Sequence, residues 1–214
     1  FQKLLDESEK NKNVRLIGFN RTAVEKVLPD VDISKAYAAS WQEPNAAALR
    51  DASALGYVFG TELQKELQVP IGLIAANRGA TPIQTWMSDT ALKGTPKTSL
   101  YRSVIAPLQK FTIKGVIWYQ GENNARSVRG SMAYADQFKT LISSWRQEWN
   151  QGDFPFLFFQ LSGYRDSAKH QPSINWPYLR ESQTKALQLA NTGMTVITDL
   201  GHPTDIHPHL KYDQ

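Results

Sequence analysis

Three short polar stretches of this 214-residue chain hold residue types that could do chemistry together. One is Asp205-Ile206-His207, in a loop bracketed by Pro203 and Pro208. A histidine two residues after an aspartate suits a general base with an acid to orient it. The second is Gln120-Gly121-Glu122-Asn123-Asn124, and the third is Asn77-Arg78-Gly79-Ala80-Thr81. A glycine at such a tip lets a backbone N–H approach a ligand oxygen closely, and Gln120 or Asn123 can aim an amide N–H at the same point. Two or three such donors form an oxyanion hole for the tetrahedral intermediate of acyl transfer. The missing part is a nucleophile.

The elements that must position these tips alternate between short apolar runs and longer amphipathic ones. Val14 to Phe19, Val69 to Ala76, Gly115 to Tyr119, Phe154 to Leu161 and Met194 to Thr198 read as strands. Ala52 to Leu67 reads as a helix with Leu55, Val58, Phe59, Leu63 and Leu67 on one face. Residues 100–110 read as a short helix, Met132 to Trp149 as a long one, and Trp176 to Leu189 as a third; residues 20–49 read as irregular. Strands that are apolar throughout and separated by helices predict a mostly parallel sheet covered on both faces. In such sheets reactive groups collect beyond the carboxyl ends of the strands, which is where all three polar tips fall.

Composition narrows the setting. The hydrophobic fraction of 41% suffices for one sizeable core, so a single domain over residues 1–214 is expected. The net charge of +4 comes from scattered lysines and arginines rather than a basic stripe, which argues against a nucleic-acid partner. With no cysteine there is no disulfide, thiolate nucleophile or Cys-based zinc site. No apolar run reaches the roughly 20 residues of a membrane-spanning helix. His202, His207 and His209 with Asp205 invite a metal reading, but no upstream partner motif accompanies them, so neither metal nor cofactor is expected.

The stretches "VPIGLIAANRGATPIQTW", "LYRSVIAPLQKFTIKGVIWYQGENNA", "WRQEWNQGDFPFLFFQLS", "LRESQTKALQLANTGMTVITDLG" and "DIHPHLK" together resemble the sialate O-acetylesterase-like carbohydrate esterases of the SGNH hydrolase superfamily. The resemblance runs in the family's order through most of residues 55–211, and "IKGVIWYQGE" followed by "DIHP" is its most specific part. It implies a three-layer α/β/α flavodoxin-like fold with a mostly parallel sheet, and a serine nucleophile in a "GQSNM"-type block. It also implies His207 as catalytic base with Asp205 as acidic partner, and Gly79 and Gln120 at the oxyanion hole. Some relatives orient the histidine through a backbone carbonyl instead, so the resemblance leaves Asp205 and a backbone carbonyl as alternatives for that role. The implied substrate is an acetylated carbohydrate, either sialic acid or a plant or microbial polysaccharide sugar, and the implied location is periplasmic or secreted.

Departures from the family pattern carry expectations of their own. No "GQSNM" and no G-x-S-x-G elbow occur. Ser131 and Ser162 are the nearest local serines, read as a helix-start capping residue and a turn residue. The nucleophile and a first strand are therefore expected upstream of Phe1, on a segment or another chain, with the domain truncated at both ends. Arg78 and Ala80 stand where relatives show an aromatic and a glycine, so Arg78 is expected near the acyl pocket. Only Asp89 to Ser99 separate the "W-x-S" segment from the "APL" helix, where many relatives insert a β-rich domain.

Each residue also has a plainer role. Glu122 is read as a supporting carboxylate that positions Gln120 or the histidine, against a capping or salt-bridging alternative. Trp86, on the segment after Gly79, is the best candidate for sugar contact; the other tryptophans are read as packing residues. Two functions stand open: a serine O-acetylesterase, or a catalytically inactive carbohydrate-binding protein on an esterase fold.

Overall fold

In the computed structural model the described residues are 11–18, 40–93, 100–166 and 171–207. The predicted strand residue Phe19, residues 20–39 of the irregular stretch, and Pro208 and His209 lie outside them. The chain divides into two compact units, Phe1–Arg78 and Gly79–Gln214.

In the first unit, strand β1 (Val14–Gly18) is followed by helices α1 (Ala46–Asp51) and α2 (Ala54–Leu67) and by strand β2 (Ile71–Ala75). β1 and β2 pair in parallel, with Val14 opposite Ile71 and Gly18 opposite Ala75. Helix α1 lies in the stretch read as irregular. Three consecutive alanines favour helix there, and Asn45 caps it by accepting from the N–H groups of Ala47 and Ala48.

Helix α2 begins after Ser53, whose hydroxyl accepts from Gly56 N, and ends at Gln68 in the left-handed conformation. Its buried residues are Tyr57, Gly60, Thr61 and Gln64, while Leu67 is exposed. The predicted leucine and valine face is therefore not the most deeply buried one. Gly60 explains the difference: a Cβ there would come within 2.7 Å of Leu73 on β2, so the helix meets the strand through its smallest residue. Val14, Leu16, Ala48, Leu49 and Tyr57 form this unit's core.

In the second unit, β3 (Val116–Trp118), α3 (Val128–Trp149), β4 (Phe156–Gln160), the short antiparallel pair β5 (Arg165–Asp166) and β6 (Gln171–Pro172), α4 (Asn175–Thr184) and β7 (Thr192–Val196) follow in order. β3, β4 and β7 form a parallel sheet in that spatial order. Residues 101–110 form a π-helical turn running into a 3-10 turn with Pro107 in its first positions. β7 starts two residues before the predicted strand, and the helix predicted to reach Leu189 loses α-geometry after Thr184 and continues as a 3-10 turn.

Phe138, Phe156, Phe158 and Trp118 build the core against which α3 lies. The rings of Phe138 and Phe158 meet edge to face at 5.0 Å, a geometry that adds attraction beyond area burial. α3 starts four residues earlier than predicted, because Ser127 rather than Ser131 is the cap: its hydroxyl accepts from Gly130 N at 3.1 Å. Arg146, buried on α3, donates to the carbonyls of Phe154 and Asn191 and so ties the entries of β4 and β7 together. Parallel strands with intervening helices are the mixed α/β architecture expected from the sequence. No helix among the described residues is long and apolar enough to cross a membrane.

Candidate active site

β3 ends in the core at Trp118, and the chain beyond it turns sharply. Gly121 makes that turn possible: an added Cβ would lie 2.5 Å from Leu179 of α4 and 3.1 Å from Leu161. The carbonyl of Gly121 accepts from the N–H groups of Asn124 and Ala125, closing the tip on itself.

From this tip, side-chain amides reach the segment that begins at Gly79. Gln120 Nε2 donates to Thr81 O at 3.0 Å and Asn123 Nδ2 to Ala80 O at 2.9 Å. Asn124 Oδ1 accepts from Ile83 N at 2.9 Å and from Gln120 Nε2 at 3.0 Å, while Asn124 Nδ2 donates to Gln84 Oε1 at 3.2 Å. Two of the three polar tips are thus stitched together. Gly79 itself is exposed, with open space around its Cβ position, whereas Ala80 is held at φ 58°.

Gln120 is fixed from behind as well. Tyr134 of α3, wholly buried, accepts from Trp118 Nε1 at 3.1 Å and donates toward Gln120 O and Oε1 at 3.1 and 3.0 Å. Gln183 of α4, also wholly buried, donates to Gln120 O and Phe159 O and accepts from Leu161 N at 2.9 Å, clamping the ends of β3 and β4. Both amide protons of Gln120 are therefore engaged by protein oxygens. For Gln120 to donate to an oxyanion, one of them must exchange its partner. Neither Tyr134 nor Gln183 was singled out by sequence reading, because a Tyr in a helix and a Gln in a polar run carry no periodic signal.

Burial raises the phenol pKa of both Tyr134 and Tyr119, and the nearby Glu122 charge pushes each further up. Glu122 is half-buried and acts on this cluster through its field. Trp86 lies in the core: its indole N–H donates to Thr81 Oγ1 at 3.0 Å, its carbonyl accepts from Trp145, and its ring stands edge-on to Trp118 at 6.2 Å. Arg78, half-buried, ends the first unit.

The third tip follows β7. Asp205 Oδ1 accepts from His207 N at 2.8 Å and lies 3.1 Å from His207 Nδ1. One carboxylate oxygen thus fixes both the backbone and the ring of the histidine, and leaves Nε2 as the ring nitrogen free of this contact. The His207 side chain is 80% exposed. The local serines are placed otherwise: Ser131 is fully buried inside α3, and Ser162 is 2% exposed beneath Trp176, whose Nε1 donates to its carbonyl at 2.7 Å. Neither presents a hydroxyl to solvent. The structure thus brings the Gly79 and Gln120 tips together, while the carboxylate-oriented imidazole of His207 stands on a loop of its own.

Comparison with known proteins places the chain in a family. The family described as carbohydrate esterase, sialic acid-specific acetylesterase, matches residues 10–213. The sialate O-acetylesterase of Rattus norvegicus is 32% identical over 92% of this chain and 47% of its own length, and that of Homo sapiens is 32% identical over 88% and 42%. The chain thus spans about half the length of the curated relatives it matches. The crystal structure of a carbohydrate acetylesterase from Xanthomonas citri superposes with a TM-score of 0.84 at 34% identity, covering 99% of this chain and 48% of that one. A protein of Arabidopsis thaliana, 18% identical over 94% of this chain and 78% of its own, shares the fold at a TM-score of 0.60. With its parallel α/β sheet and the matched run from residue 10 to residue 213, this chain belongs to the sialic acid-specific acetylesterase family of carbohydrate esterases.

Proposed function

We propose that the chain is the catalytic region of a carbohydrate O-acetylesterase that works through a serine acyl-enzyme. The single observation carrying this reading is the Asp205–His207 pair, with its 3.1 Å contact to Nδ1 and its exposed ring. In the proposed cycle a serine N-terminal to Phe1 attacks the acetyl carbonyl while His207 takes its proton. Asp205 holds the imidazole in the tautomer that requires and stabilises its charged form. The Gly79 N–H receives the developing oxyanion, and Gln120 fixes the segment that presents it by holding Thr81 O. His207 then protonates the departing sugar oxygen, and water, activated by the same ring, releases acetate.

The family match and the relatives' names support an acetylated carbohydrate as substrate. That substrate is also what a periplasmic or secreted location would suit. The test is acetate release from acetylated sugars by the complete protein, before and after a serine-directed covalent inhibitor. Turnover that the inhibitor abolishes is expected. Turnover indifferent to the inhibitor would exclude the acyl-enzyme, and no turnover at all would favour the binding-protein alternative.

A further inference from the structure

Asn123 carries an amide that could reach a reacting oxygen, but the structure gives its Nδ2 to Ala80 O at 2.9 Å. Ala80 is an exposed alanine in the left-handed conformation, at φ 58°, in the turn it forms with Gly79. A residue with a Cβ avoids that region unless something holds it there, whereas glycine enters it freely. The strain lies one residue from the N–H that the proposed cycle uses, so whatever holds it also bears on that donor.

The bonds on either side of the turn identify the hinge. Downstream, Thr81 O is held by Gln120 and Ile83 N by Asn124, both from the tip of β3. Upstream, Gly79 is exposed and nothing among the described residues lies within 4 Å of its Cβ position, so packing does not fix it. Anchored backbone therefore meets an unsupported glycine at Ala80, and rotation about the Ala80 N–Cα bond moves one relative to the other. Relaxing φ from 58° into the negative range swings the Ala80 carbonyl relative to Gly79 and breaks the bond from Asn123. The net strength of such a bond and the strain of a left-handed alanine are of the same order, so one can offset the other.

Resting on the esterase reading above, we propose that Asn123 is a positioning residue made necessary by Ala80. Its amide keeps a strained alanine left-handed and so keeps the Gly79 N–H aimed where the oxyanion forms. Asn123 touches neither the substrate nor the reacting atoms. Its effect on rate passes through residue 80 and should vanish when that residue carries no strain.

The experiment compares what Asn123→Ala does in the parent and in the Ala80→Gly background of the complete protein, by acetyl-ester kinetics, with thermal melting to verify the fold. In the parent, kcat is expected to fall about tenfold, equivalent to about 1.4 kcal/mol, with KM within about twofold, since an oxyanion contact counts in the transition state. Asn123→Asp keeps the shape, loses the donor and should match that fall. In the Ala80→Gly background the same Asn123→Ala change should cost less than about twofold, because glycine needs no brace. Equal losses in both backgrounds would make Asn123 a direct contact and overturn the proposal. No loss in the parent, or a loss confined to KM, would overturn it as well.

A second readout needs no turnover. The carbon-13 shifts and three-bond amide coupling of Ala80, read by NMR on protein carrying labelled alanine, report the sign of its φ. Asn123→Ala should move them from left-handed toward negative-φ values. A shifted Ala80 in a protein that hydrolyses no acetyl ester would sink the esterase reading alone, and hydrolysis with an unshifted Ala80 would sink this proposal alone.

Discussion

The tip of β3 and the loop after β7 are built in opposite ways. Around Gln120 and Asn124, buried amides satisfy one another and grip the backbone of Thr81 and Ile83. Around His207, one carboxylate oxygen orients an imidazole that stands in solvent. The difference separates two tasks that a site must perform. A backbone donor at Gly79 is useful only if its segment is held in place, because preorganisation is what makes an oxyanion contact effective. A general base needs access to a nucleophile and needs only its tautomer set. The tip should therefore govern stability first and activity second, and the loop the reverse.

The largest effect that could break this contrast is at Asn124. Replacing it with Leu leaves the buried Ile83 N–H without its partner and takes one hydrogen bond from each of the Gln120 and Gln84 amides, so a loss on the order of 3 kcal/mol is expected in urea unfolding. A loss near zero would mean the network is not rigid. At the loop, Asp205→Asn should lower acetyl-ester turnover by about tenfold, roughly 1.4 kcal/mol of transition-state stabilisation, without shifting the melting temperature. A matching fall in stability would erase the contrast.

Tyr134→Phe removes only the hydroxyl between Trp118 and Gln120 and should cost about 1–2 kcal/mol. It also has a pH signature. Folding raises the pKa of Tyr134, so the stabilisation is fully present below the unfolded value near 10 and is lost as pH climbs above it. The variant's stability should fall less steeply above pH 10, by about 1.4 kcal/mol per pH unit. The smallest effect is at Ala80, whose left-handed backbone should relax on Ala80→Gly and gain about 0.5–1 kcal/mol in thermal melting.

Much of this was legible in the sequence, for identifiable reasons. Continuous apolar runs such as Phe156 to Phe159 declare a buried parallel strand whatever surrounds them, and the polar residues that end Trp118-Tyr119-Gln120 declare the edge where a site forms. The aspartate-histidine spacing was readable because the contact is local. What escaped was non-local. The roles of Gln183 and Tyr134 exist only because α4 and α3 bring them behind Gln120, 63 and 14 residues away in sequence. The burial of Trp86 depends on Trp118 and Trp145 meeting it from other elements. On α2, Gly60 and not the leucines set the contact face, because close approach there depends on what is absent from the side chain.

The most direct test of the central claim is the turnover of an acetylated sugar by the complete protein carrying His207→Ala, with thermal melting measured in parallel. The account predicts that turnover falls by at least about a thousandfold while the melting temperature stays within about 1 °C of the parent, since the ring is exposed and its contact to Asp205 is local. Turnover within about tenfold of the parent would contradict it, and His207 would no longer be the base.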